Sequence, residues 1–96
     1  MIRLSVSQTV VVSSGTGTVT FQSNTWADGA AIIAPDATPL YDFDIYNGLG
    51  HVLISGRQID AKYAKIEGKY KLEGDCRIVV TNAADDGNYA VCLFTE

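Results

Sequence analysis

Histidine, proline and cysteine are scarce in this chain, and it has no long apolar run and no block of like charge. Its 96 residues include one histidine, two prolines and two cysteines. Two cysteines do not make a disulfide scaffold. A single histidine, with no CxxC or HxxxH spacing, gives no zinc site. No stretch approaches the roughly 20 apolar residues of a membrane-spanning helix. Seven basic residues against eleven acidic ones leave a formal charge of −4. The basic residues do not cluster, which argues against a surface that tracks nucleic-acid phosphates. The opening MIRLSVSQTVVVSSG lacks a basic segment followed by a long apolar one. It does not read as a signal peptide, so synthesis in the cytosol is expected.

What the chain does contain is alternation. Hydrophobic residues make up 47% and charged ones 19%, a balance that suits one folded domain over residues 1–96. Ile2, Leu4 and Val6 alternate with Arg3, Ser5 and Ser7, the period of a half-buried strand. TVVVSS, TVTFQ and AAIIA continue the pattern, separated by SGTG and by SNTWADG, which reads as loop. LYDFDIYNGLGHVLIS reads as a hairpin. Tyr41, Phe43 and Ile45 share one face, Leu40, Asp42, Asp44 and Tyr46 the other, and NGLG forms the turn. Residues 57–67 fit either a short helical turn, through Ile59, Tyr63 and Ile66, or an irregular strand. CRIVVTN and NYAVCLFTE read as a closing hairpin around AADDG. The expected fold is all-β, an antiparallel sandwich or jelly roll of about eight short strands, with both chain ends paired inside the sheets.

Chemistry-bearing constellations are few. DDGNYAVCLFTE lacks the alternate oxygen ligands of a calcium loop, since Gly87 and Tyr89 occupy ligand places. A plain turn accounts for it, with a loose cation site joined by Asp36 as the alternative. Cys76 and Cys92 sit on the two arms of the expected hairpin. They read as two small buried apolar side chains, with a bridge left open. His51, at a turn edge, has no nucleophile-elbow partner. Asp42 and Asp44 have the i, i+2 spacing of a glycosidase pair, but they fall on the expected solvated face. Neither GTGTVTF nor NGLG matches a phosphate-binding motif. No catalytic residue, cofactor or metal is therefore assigned. Trp26, in a polar stretch, is the candidate contact residue. It reads either as exposed for binding or as a lid on the core.

The C-terminal YKLEGDCRIVVTNAADDGNYAVCLF resembles the closing strands of small β-sandwich proteins of phage and viral virions. The opening SVSQTVVVSSGTGTVTF is similar to their Thr/Val/Ser/Gly-rich start. This resemblance implies a capsid decoration, cement or tail-associated protein, trimeric, located in the virion after synthesis in the host cytoplasm, and without an active site. The expected partners are protein: further copies of the chain and a capsid or other virion protein, with no nucleic acid and no membrane. The expected contacts are edge-strand addition through Ile2, Leu4 and Val6, and the aromatic Trp26. A carbohydrate-binding module using Trp26 and loop tyrosines is the alternative.

Overall fold

Residues 4–35 and 40–95 are described by the computed structural model. Ile2, Asp36 and Pro39 lie outside the described residues. Six strands form: β1 (Leu4–Val12), β2 (Gly17–Ile33), β3 (Tyr41–Tyr46), β4 (Val52–Ile59), β5 (Tyr63–Thr81) and β6 (Gly87–Thr95). All pair antiparallel in the order β1-β6-β2-β5-β3-β4.

This sheet folds over on itself because β2 and β5 each serve two layers. In the first layer, residues 27–33 of β2 lie between β6 and the start of β5. In the second, residues 17–26 of β2 pair only with β5, whose far side carries β3 and then β4. The corner is at Gly29. Pairing runs Asp28 with Lys69 and then Ala30 with Ile66, so β5 carries one extra residue there. Such a bulge bends a strand and increases its twist. Gly29 sits at φ +88°, and a Cβ there would lie 2.9 Å from the Ile66 carbonyl oxygen. The buried Tyr70 hydroxyl donates to the Gly29 carbonyl at 3.0 Å, which satisfies the backbone group exposed by the bend. Before the corner, odd-numbered residues of β2 face inward; after it, Ala30, Ile32 and Ala34 do.

Between the layers lies one core. Val10, Ile32, Val91 and Leu93 come from the first layer; Tyr41, Phe43, Ile45, Leu72, Ile78 and Val80 come from the second. Burying each large aliphatic or aromatic side chain is worth about 1.5–3 kcal/mol. The Tyr41 and Tyr89 rings meet edge to face at 5.0 Å, tying β3 to β6 across the sandwich.

The all-β class, the β3–β4 hairpin and the pairing of the chain ends match the sequence. The ends meet where Leu4 opposes Thr95. Two expectations change, and the choice left open at residues 57–67 resolves to strand. There are six strands among the described residues and not about eight, because SNTWADG continues β2 and KYKLEG continues β5. Residues 57–67 contain no helix. Ile59 ends β4 and Tyr63 begins β5, with Gln58 at φ 51° starting the bend. Finally, CRIVVTN and NYAVCLFTE are not a hairpin. AADDG carries the chain from one layer to the other, and β6 pairs with β1 and β2. Cys76 therefore points into the core while Cys92 lies on the first layer's outer side, and both thiols are free. Burial raises the Cys76 pKa.

Candidate functional site: two unlike outer faces

The outer face of the second layer is polar. Alternation along β2 turns Thr18, Thr20, Gln22, Asn24 and Trp26 outward. Their partners across β5 are Val79, Arg77, Asp75, Glu73 and Lys71. Trp26 is thus a strand residue, 53% exposed, and not a loop residue or a core lid. The Lys71 ammonium lies 5.8 Å from its ring centroid. The Gln22 amide donates to the Asp75 carboxylate at 2.9 Å. Beside this pair an open groove of about 490 Å³ is lined by Gln22, Ser23, Asn24, Glu73 and Gly74. Farther across, the Arg77 guanidinium stacks over Tyr46 at 4.3 Å.

Of the carboxylates that sequence marks as acid–base candidates, Asp42 holds backbone, and Asp44, expected on a solvated face, is buried at 7% exposure in an ion pair. Asp42 accepts from the Gln58 N–H at 2.7 Å and from the Asn82 amide at 2.9 Å. Gln58 and Asn82 are both left-handed, at φ 51° and 52°, so Asp42 pins two strained positions. Those hydrogen bonds, the Asn82 one first, hold its carboxyl below the ordinary carboxylate pKa. Asp44 pairs with Arg57 at 3.0 Å, and Arg57 also donates to the Phe43 and Gly56 carbonyls. The Asp44 carboxylate raises the guanidinium pKa. His51 is exposed, and its N–H donates to the Asn47 side chain, which also takes the Leu49 N–H.

AADDG is likewise a fastening. Ser14 and Gly15, at φ 56° and 80°, are the central residues of a two-residue turn, the type I′ geometry of tight hairpins. Asp86 accepts both of their N–H groups, at 3.2 and 3.1 Å. The Asp85 carbonyl accepts the Tyr89 hydroxyl at 2.8 Å. Among the described residues no group of three or more His, Cys, Asp or Glu side chains could hold a metal ion.

The first layer's outer face is poor in charge. One transverse row runs Thr9, Ala90, Ile33, Tyr63, and the next runs Ser7, Cys92, Ala31, Lys65. Val11, Ile33 and Tyr63 are 65%, 46% and 58% exposed. Small side chains between them leave a trough of about 250 Å³. Lys65 and Glu67, 4.0 Å apart, border this face. β1, with Leu4 at its start and Val6 turned half-buried toward the core, is the outermost strand beside it.

Sequence reasoning brought out Trp26 but not its neighbours. Gln22, Asn24 and Glu73 join it only through the β2–β5 register. Arg57 and Asp86 act across 13 and over 70 positions, and no local pattern announces such partners.

No family model matches the chain, and no curated protein does. Solved structures share the fold. The pre-peptidase C-terminal domain of collagenase from Bacillus anthracis aligns at TM-score 0.56 and 11% identity, over 99% of this chain and 90% of that one. The GH26-CBM35 β-(1,4)-mannanase of Podospora anserina aligns at TM-score 0.50 and 15% identity, over 96% of this chain and 28% of that one. Infectious bursal disease virus, Gx strain, aligns at TM-score 0.38 and 11% identity, over 97% and 28%; a likeness that distant carries no argument. Together the first two show an antiparallel β-sandwich.

Proposed function

We propose that the chain is a structural assembly protein of a virion, of the capsid decoration or cement type, working through contacts with other protein chains. The observation that carries this reading is the charge-poor outer face. A chain of net charge −4 keeps charge to the border of this side of the sheet, at Lys65 and Glu67, and leaves Val11, Ile33 and Tyr63 in water. Exposed apolar patches of this kind mark protein interfaces. The same face is where two acidic copies meet with least repulsion, which favours a homo-oligomer, a trimer in the virion resemblance. Edge-strand addition through residues 2–6 is the second contact, since β1 borders the sheet and a sheet edge pairs readily with another chain.

Sedimentation of the purified protein tests this. The expected mass is a small multiple of 10.3 kDa, and Ile33→Asp is expected to reduce it to the monomer without unfolding the chain. A wild-type protein that stays monomeric at high concentration, and that binds no virion protein, would refute the reading. A second reading, a carbohydrate-binding module, is favoured by the exposure of Trp26. The two readings use opposite faces and are compatible.

A further inference from the structure

Resting on the carbohydrate-binding reading and going beyond it, we infer that the polar face carries a ligand site, formed by Trp26, Asn24 and Gln22 of β2 with Glu73 of β5, whose ligand is a neutral oligosaccharide.

Four observations converge on it. Trp26 presents about half of its surface on the outer side of a regular strand. An indole fixed this way is a flat apolar platform, and the C–H face of a pyranose ring stacks on such a surface while its hydroxyls project from the ring edge. Two positions back, Asn24 lies opposite Glu73. An amide and a carboxylate side by side offer both donors and acceptors to neighbouring hydroxyls. Next, Gln22 is held by Asp75 through its Nε2, which orients its side-chain oxygen as a further acceptor. An open groove of about 490 Å³ lies beside Gln22, Asn24 and Glu73, with Ser23 and Gly74 completing its lining.

The geometry also sets the length and charge of the ligand. From Trp26 to Gln22 is four strand steps, about 13 Å at ~3.3 Å each, longer than one sugar ring. Residues 17–26 of β2 pair on one side only, so the groove is open along its length and a chain can run out of it. Glu73 and Asp75 lie on the groove side, with Lys71 against the indole. Uronate or sulfate groups would meet like charge at Glu73. A neutral chain meets none. The Lys71 ammonium steadies the ring from one side, which lowers the cost of fixing it when a sugar stacks.

The test is titration of the full chain with hexasaccharides of β-1,4-linked glucose, mannose and xylose, and with an oligogalacturonate. Tryptophan fluorescence and saturation-transfer NMR provide the readouts. The expected result is a saturable fluorescence change with at least one neutral hexasaccharide, with transfer to its C–H protons. Trp26→Ala should weaken binding by at least ~10-fold, and Asn24→Ala and Glu73→Gln several-fold each. All three side chains point outward, so unchanged melting of the variants separates lost binding from lost folding. Ile33→Asp, on the opposite face, should leave sugar binding intact whatever it does to assembly. Silence in both readouts across the neutral panel overturns the inference. So does full-strength binding by Trp26→Ala, or binding of the oligogalacturonate alone.

Discussion

One folded sheet presents two outer faces that share a backbone and little else. On the second layer, Gln22, Asp75, Glu73, Lys71, Arg77 and Asp44 are placed so that most find a partner on an adjacent strand. On the first, Ser7, Thr9, Ala31, Ile33, Ala90 and Cys92 form an almost uncharged surface. Nothing in strand geometry requires this difference. Either side of an antiparallel sheet can face water, and then it normally carries polar residues. The second layer follows that rule. The first departs from it, and the assembly proposal rests on that departure.

The largest expected effect comes from breaking the joint between the faces. Gly29→Val places a Cβ near the Ile66 carbonyl at a left-handed position. It should cost about 2 kcal/mol or more and lower Tm by on the order of 10 °C. If the variant melts like wild type, the corner does not fix the layers. Next is Tyr70→Phe, which strips the buried Gly29 carbonyl of its donor. A loss of about 1–3 kcal/mol is expected in urea unfolding, with Cm moving and the slope unchanged.

A smaller effect sharpens the contrast by touching the charged face alone. Asp42 has its pKa lowered from 3.8 by the Asn82 and Gln58 hydrogen bonds. Its stabilisation is therefore present above the ordinary carboxylate pKa and is lost as pH falls through the lowered one. Asp42→Asn should melt below wild type at pH 7, and the gap should close below about pH 4. A gap independent of pH would show that the carboxylate charge is not what holds Gln58 and Asn82. The smallest effect is expected between the faces. The Tyr41 hydroxyl is buried without a hydrogen-bond partner among the described residues, and burial, with Tyr89 beside it, pushes its pKa up to about 12. Tyr41→Phe should be neutral or stabilising, by no more than about 1 kcal/mol in the same unfolding measurement.

Much of this was legible in the residues. Tyr41, Phe43 and Ile45 alternate with Asp42 and Asp44, and that pattern alone places three core side chains and Asp42 outside them, but not the burial of Asp44 beneath Arg57. The strand limits were less legible. SNTWADG looks like a loop because residues 23–26 of β2 lie at a sheet edge, where even the inward positions are only half covered and polar residues cost little. Nor does local pattern reveal which strands pair. Side chains on β6 alternate equally well beside β5 or beside β1 and β2, so CRIVVTN and NYAVCLFTE looked like neighbours when they belong to different layers. The binding face has the same origin. Trp26 stands out by type, whereas Asn24 and Glu73 acquire meaning only from being opposite one another.

The alignment of Leu4 with Thr95 has a bearing on how the chain reaches its native state. During synthesis β1 lacks its strand partner until residues 87–95 have emerged from the ribosome. Closure must then bring Leu4 to Thr95, the kind of distant pairing that places all-β domains among the slower folders, on the order of milliseconds to seconds. A nascent chain stalled before residue 87 would leave that strand unmatched and open to intruding β-segments.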